Sequence, residues 1–191
     1  GYLTTMLEGF RYVYNAKFQD TRSYVYYPFD KSWDTTGRNI VNVISAVPSG
    51  YKIRRVVSNA DNLEKYSADQ VLEGYTGSDT TLTVPMGVTK IALTKKSEQI
   101  TKLGIPQSVN MIDVKTIAEN LPNLTDYVAA DSEKDLSLAG YKIIDGVLYS
   151  ADGKTLLSVP AGKKNVMVPE TVTKLAKDCF RGMSKDAVII F

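Results

Sequence analysis

The segment Val166-Met-Val-Pro-Glu-Thr-Val-Thr-Lys-Leu-Ala-Lys-Asp-Cys-Phe-Arg-Gly182 decides which fold the sequence predicts. It begins with a short β-branched run that closes on a proline, and it ends on a glycine. A second run of the same kind, Val188-Ile-Ile-Phe191, begins 22 residues after Val166. This interval is typical of solenoid repeats, in which a strand and a short turn or helix cannot bury their apolar face alone. Neighbouring units must therefore stack, and the resulting extended surface favours binding over catalysis.

The same pattern occurs earlier in the chain. Val84-Pro-Met-Gly-Val-Thr-Lys-Ile91 is followed 21 residues later by Ile105-Pro-Gln-Ser-Val-Asn-Met-Ile112. The next segment, Val114-Lys-Thr-Ile-Ala-Glu-Asn-Leu121, carries its apolar residues at helical spacing and precedes Pro122. Because proline cannot continue a helix, we expect a short helix that ends there.

Four further segments are predicted to be strands, and two of them are expected to form a hairpin. Residues 100–106 and 124–128 have the apolar, β-branched composition of repeat strands. Residues 147–150 and 155–159 are expected to pair across Ala151-Asp-Gly-Lys154, since Asp-Gly is a strong hairpin turn in which both positions take positive φ.

Several motifs in the last fifty residues resemble the BspA-type leucine-rich repeats of surface proteins from gut and oral bacteria. They are Asp145-Gly-Val-Leu-Tyr-Ser150, Asp152-Gly-Lys-Thr-Leu156, Val159-Pro-Ala-Gly162, Val168-Pro-Glu-Thr-Val-Thr-Lys-Leu175 and Cys179-Phe-Arg-Gly182. In that family a strand ends in Ile-Pro or Val-Pro, a Val-Thr-x-Ile turn packs inward, and Ala-Phe-x-Gly covers the core. The resemblance covers about residues 100–191 and implies a secreted or cell-surface binding protein.

Four residues of the last repeat are predicted to point into the solenoid core, because a repeat buries its apolar face only against a neighbour. They are Val172, Leu175, Cys179 and Phe180.

The first half of the chain has a different composition. Thirteen of the eighteen aromatic residues fall before residue 80, and strand-like runs occupy residues 10–14, 23–27, 40–47 and 51–58. Short strands separated by glycine and proline, without helical periodicity, predict an antiparallel sandwich. Residues 81–93 are expected to supply its last hairpin. The pattern is similar to the jelly-roll, galactose-binding-like modules of bacterial surface proteins.

The predicted fold is therefore mainly β, with a sandwich over residues 1–98 and leucine-rich repeats over residues 99–191. The polar stretch Lys95-Lys-Ser-Glu-Gln99 favours this boundary. A solenoid that begins near residue 80 is the alternative, because Val84–Ile91 also fits the repeat. Both assignments place the boundary between about 80 and 105.

Composition excludes several kinds of catalysis. The chain has no histidine, which removes Ser-His-Asp and Cys-His arrangements, and Cys179 is its single cysteine. No glycine-rich phosphate loop occurs. The carboxylates Asp30 with Asp34 and Asp61 with Glu64 are not placed by the sequence as a glycosidase pair. We therefore expect no enzyme activity, no catalytic residue, no metal site and no cofactor.

The charge balance gives no indication of nucleic-acid binding. The sequence carries 23 basic and 21 acidic residues, for a net charge of +2, without a basic cluster. It contains no run of eighteen apolar residues, so no transmembrane segment is predicted. The extracellular or cell-surface location is an expectation that follows from the resemblance alone.

The best ligand-site candidates lie in the predicted sandwich. Trp33 and Tyr27 offer aromatic faces on which a sugar ring can stack, while Asp34 and Arg38 offer hydrogen bonds to its hydroxyl groups. Alternatively, the aromatic residues fill the core of the sandwich and Trp33 closes its end.

Two functions follow from these observations. The first is a non-catalytic adhesion or binding module that contacts a host or bacterial protein through the repeat face. The alternative is a glycan-capture protein that binds carbohydrate through the N-terminal sandwich.

Overall fold

The computed structural model describes residues 49–58, 67–130 and 140–191, which form a β-solenoid with little helix. Its strands are β1 (Tyr51–Ser58), β2 (Ser67–Tyr75), β3 (Thr81–Thr83), β4 (Lys90–Ile91), β5 (Lys102–Ile105), β6 (Met111–Ile112), β7 (Asp126–Ala129), β8 (Tyr141–Ile144), β9 (Val147–Ser150), β10 (Thr155–Ser158), β11 (Asn165–Met167), β12 (Lys174–Leu175) and β13 (Val188–Ile190). The helix α1 spans Val114–Asn120.

Successive coils stack through parallel strands. β3, β5 and β7 form one sheet, while β2, β4 and β6 follow β1 in another, so each early coil contributes one strand to each sheet. In the first sheet Thr81 pairs with Lys102, and Lys102 pairs with Asp126. After the β8–β9 hairpin the parallel pairing resumes, with β10 beside β12 and β11 beside β13. Paired residues are 19 to 24 positions apart in the chain, which is the length of one repeat.

Alternation along the strands separates the core from the surface. In the β3-β5-β7 sheet, Leu82, Leu103 and Tyr127 occupy one rung and are buried against the core. Their neighbours Thr81 and Lys102 are exposed, because successive side chains of a strand point to opposite faces. The solenoid therefore has an apolar interior and a mixed outer face.

Helix α1 confirms the sequence prediction. The Asp113 side chain accepts a hydrogen bond from the Thr116 backbone N–H and so satisfies one of the unpaired donors at the start of the helix. Ile117 and Leu121 are buried on the core side, as their helical spacing predicts. The helix ends immediately before Leu121 and Pro122.

The β8–β9 hairpin separates the earlier coils from the later ones. Asp145 and Gly146 form its two-residue turn, with φ of 48° and 72°, which is the type I′ geometry that hairpins prefer. Strand β9 is buried on both sides. Leu148 packs in the core of the earlier coils, while Val147 and Tyr149 pack in a second core with the later coils. The hairpin therefore lies between two apolar cores.

Strands β9 and β10 confirm the predicted pairing of residues 147–150 with residues 155–159. The expected turn geometry is only half correct, since Gly153 has a positive φ and Asp152 does not. The reason is the longer connection: the Asp152 carboxylate accepts hydrogen bonds from the Ser150 hydroxyl and the Lys154 backbone N–H, which closes a different turn.

The predicted hairpin over residues 81–93 is wrong. Its two strands, β3 and β4, belong to different sheets and pair with β5 and β6, one repeat later. The chain turns a corner at Val84-Pro85 instead of folding back, so each strand finds its hydrogen-bond partner in the next coil.

Repeat stacking extends further toward the N-terminus than residue 99. The boundary predicted at residue 98 falls between strands that are hydrogen-bonded to each other, since β3 pairs with β5 and β4 pairs with β6. In the N-terminal part, the strand predicted over residues 51–58 is confirmed as β1, which pairs with β2 in antiparallel fashion. Of the sandwich predicted over residues 1–98, residues 1–48 and 59–66 lie outside the described residues.

Candidate functional site

The glycan-site residues predicted from the sequence are Trp33, Tyr27, Asp34 and Arg38. All four lie outside the described residues, so the glycan hypothesis stays a prediction. The carboxylates Asp61 and Glu64 also fall outside them.

The predicted core residues of the last repeat differ in their burial. Cys179 is buried, and Val172 and Phe180 are half-buried against the second core. Leu175 departs from the prediction because its side chain is 45% exposed. It pairs with Leu156, which is fully buried between β12 and β9. No further strand stacks on β12 in the described residues, so one flank of Leu175 faces solvent.

The environment of Cys179 does not activate its thiol. Burial is the main cause that raises the pKa of Cys179 above its usual range, and the nearby Asp178 carboxylate raises it further. A thiolate is the reactive form of cysteine, so this thiol is a poor nucleophile.

A cluster of large apolar side chains is exposed at the β11–β13 sheet, and Phe191 follows directly after the end of β13. Met167, Val188, Ile190 and Phe191 have between 52% and 76% of their surface exposed. Their strand neighbours Val166 and Ile189 turn inward and pack in the second core. The outer face of this sheet thus carries Met167, Val188 and Ile190 beside the polar Asn165, whereas the outer face of β3 carries two threonines.

A cleft of about 290 Å³ opens between the Asp145-Gly146 turn and the β11–β13 sheet. Its apolar wall includes Met167, Val188 and Ile190, and its polar rim is formed by Asp145, Lys163 and Asn165. The site therefore joins the hairpin insertion to the coils that follow it.

Lys163 is held on the rim by an ion pair. Its Nζ lies 3.1 Å from the Asp126 carboxylate and donates a second hydrogen bond to the Thr125 carbonyl. Burial alone would raise the pKa of Asp126, but hydrogen bonds from the Thr125 hydroxyl and from Lys163, together with the charges of Lys163 and Lys102, lower it below its usual range. Asp126 is therefore ionised at neutral pH, and the charge of Lys163 is neutralised locally.

The Asp145 turn is fixed against strand β7. The Tyr127 backbone N–H donates to the Gly146 carbonyl at 2.9 Å. Gly146 approaches Asp126 so closely that a Cβ there would lie 2.2 Å from a carboxylate oxygen. A side chain at position 146 would displace the Asp126 carboxylate, so glycine is favoured there, and the turn places the neighbouring Asp145 at the mouth of the cleft.

The geometry suits binding. The cleft is open to solvent and combines an apolar wall with polar groups on its rim, of which Lys163 is held by Asp126. Across residues 49–58, 67–130 and 140–191, no group of three metal-ligating acidic or cysteine side chains lies together. No described helix is long and apolar enough to cross a membrane.

Sequence reasoning missed this cleft. It identified Val188–Phe191 as an apolar strand but assigned no role to Asp145 or Met167. A usable signal was present, since Asp145-Gly146 stands between two apolar pairs and predicts a two-residue hairpin.

This chain is similar to solved structures at low sequence identity. No known protein family matches the sequence, and no curated protein matches it. A leucine-rich repeat protein from Eubacterium ventriosum is 19% identical, with a TM-score of 0.40 over 59% of this chain and 41% of that one. The pneumococcal vaccine antigen PcpA is 21% identical, with a TM-score of 0.38 over 49% of this chain and 22% of that one. The chain spans less than half the length of either structure.

Proposed function

We propose that this chain is a non-catalytic protein-binding module of a bacterial cell-surface protein, built from BspA-type leucine-rich repeats and acting outside the cell. The single observation that carries the binding role is the exposed apolar cluster of Met167, Val188 and Ile190 on the outer face of the β11–β13 sheet. Such contiguous apolar surface is characteristic of interaction sites.

The rest of the solenoid supports this role. Stacked coils present an extended, rigid surface instead of a closed pocket, and repeat proteins use such surfaces to contact other proteins. The strand backbone is fixed by its ladder hydrogen bonds, so little backbone entropy is lost when a partner binds. The cluster combines this rigidity with apolar side chains that gain from burial.

The bacterial surface location is supported by the sequence motifs that resemble BspA-type repeats. The non-catalytic role is supported by the absence of histidine from the sequence and by the buried, weakly acidic thiol of Cys179. Both statements are part of the proposal.

The test uses an array of purified host and bacterial extracellular proteins, with the labelled chain as the probe. The disruptive variant carries Met167→Lys and Ile190→Lys, which place two charges in the apolar cluster. The matched control carries Thr81→Lys and Thr83→Lys, which place the same charges on exposed positions of β3. We expect at least one partner whose binding is lost in the first variant and kept in the second. Failure to bind any protein, or equal loss in both variants, would contradict the proposal.

A further inference from the structure

The cleft beside the β11–β13 sheet contains one charged group that has no partner. In the described part of the chain, the Asp145 carboxylate makes no hydrogen bond and no ion pair. Lys163, the other charged residue of the rim, is engaged by Asp126 and by the Thr125 carbonyl. The unpaired charge that the cleft presents to a ligand is therefore negative.

The apolar wall lies next to this charge. Met167 and Ile190 occupy paired positions on β11 and β13, and Val188 stands two residues before Ile190 on the same face. The lining thus offers an apolar strip that leads to a carboxylate. A ligand that matches both parts must have an apolar stem and a positively charged end.

Lysine and arginine side chains have this construction, since their methylene stems cover apolar surface while the charged group stays at a polar site. Asp145 is exposed on its turn, so a ligand without charge that covered it would remove water from the carboxylate without supplying a partner, which is costly. An anionic ligand would be repelled by Asp145 and would find Lys163 already paired.

We propose that this cleft binds a lysine or arginine side chain from an extended segment of the partner protein. The stem packs on Met167, Val188 and Ile190, and the cationic group pairs with Asp145. This inference rests on the proposed protein-binding function and specifies the chemistry that the partner presents.

The first experiment compares two blocked, fluorescein-labelled peptides, Gly-Val-Thr-Lys-Val-Thr-Gly and the same peptide with norleucine in place of lysine. Norleucine keeps the apolar stem and removes the charge. Fluorescence anisotropy at low ionic strength should show that the lysine peptide binds about tenfold more tightly, as expected for a close, partly desolvated charge pair. Equal affinities, or no binding of the lysine peptide at millimolar protein, would overturn the inference.

The second experiment tests whether the Asp145 carboxylate pairs with the cationic group. Asp145→Asn removes the charge but keeps the turn, because Asn-Gly is favoured in type I′ geometry. The matched control is Asp152→Asn, which changes the other Asp-Gly turn, away from the cleft lining. We expect Asp145→Asn to reduce the lysine peptide to the affinity of the norleucine peptide, and Asp152→Asn to leave it unchanged. An equal effect of both variants would contradict the assignment.

The same variants separate this inference from the broader function. A partner from the protein array that is lost with Met167→Lys and Ile190→Lys, but retained with Asp145→Asn, would uphold the binding function and reject the cationic side chain. A partner whose binding is lost in both variants would support both the protein-binding function and the binding of a cationic side chain at Asp145.

Discussion

The Tyr127 hydroxyl lies 2.7 Å from the Ser158 hydroxyl in the buried interior, where it links strand β7 to strand β10. The β8–β9 hairpin intervenes between these strands in the sequence. The hydrogen bond therefore joins the coils before the insertion to the coils after it, across residues that are 31 positions apart.

We predict that Tyr127→Phe destabilises the protein by about 1–3 kcal/mol, because the buried Ser158 hydroxyl loses its partner. Ser158→Ala should cost a similar amount by leaving the Tyr127 hydroxyl unpaired. The double variant should cost less than the sum of the two single changes, since it leaves neither group unsatisfied. Urea unfolding of the four proteins measures this coupling, and strict additivity would contradict it.

Ionisation of the Tyr127 phenol should lower the stability of the folded protein in alkali. Burial raises the pKa of Tyr127 to about 12 from an ordinary value of 10.0. Because the folded-state pKa is the higher one, the protonated phenol contributes stability that is fully present below about pH 10 and is lost as the pH rises to about 12. The loss should reach roughly 2–3 kcal/mol at full ionisation.

Comparison with Tyr127→Phe isolates this contribution, because burial also raises the pKa of Tyr141 and Tyr149 in both proteins. The difference in free energy of unfolding between the two proteins should shrink between pH 9 and pH 12. A difference that stays constant over this range would show that Tyr127 does not titrate with folding.

Gly146→Ala should destabilise the protein by about 2–4 kcal/mol. The new Cβ would meet the Asp126 carboxylate at 2.2 Å, and the residue would also keep an unfavourable φ of 72°. Gly140 provides the control, because it has a φ of 92° but no atom of the described residues within 4 Å of an added Cβ. Gly140→Ala should therefore cost only about 1 kcal/mol. Thermal unfolding that gives equal losses for the two variants would rule out the close contact.

Leu156→Ala and Leu175→Ala should differ in how much stability they remove, although the two leucines pair in adjacent coils. Leu156 is fully buried, so its truncation should lower the free energy of unfolding by about 2–5 kcal/mol. Truncation of the exposed Leu175 should lower it by less than about 1 kcal/mol. Urea denaturation of both variants measures the difference. A larger loss for Leu175→Ala would indicate that its side chain is covered in solution.

Much of the repeat region could be predicted because its signals are local. The spacing of Val166 and Val188 predicts two strands one repeat apart, and the structure pairs Val166 with Ile189 and Asn165 with Val188 in parallel. The helix at Val114–Asn120 follows from its own apolar period and from Pro122. Each of these signals involves residues that are close together in the sequence, so it can be recognised without knowledge of the fold.

Strand partners could not be predicted in the same way. Residues 81–83 and 90–91 carry strand-forming residues, and either a hairpin or a solenoid would satisfy that preference. The choice is made by hydrogen bonds to residues about twenty positions away, which local propensity does not encode. The cleft was missed for the same reason, since Asp145, Met167 and Val188 come from three separate segments.

The sequence by itself determined the repeating unit of this protein, because the period of its β-branched, proline-ended runs specifies which side chains must face inward. Only the tertiary structure decided which equivalent positions are covered. Leu156 and Leu175 occupy the same place in the pattern, yet among the described strands Leu156 is enclosed on each side and Leu175 has a neighbour on one side only. Burial depends on what stacks against a residue, and stacking is a property of the whole assembly of coils.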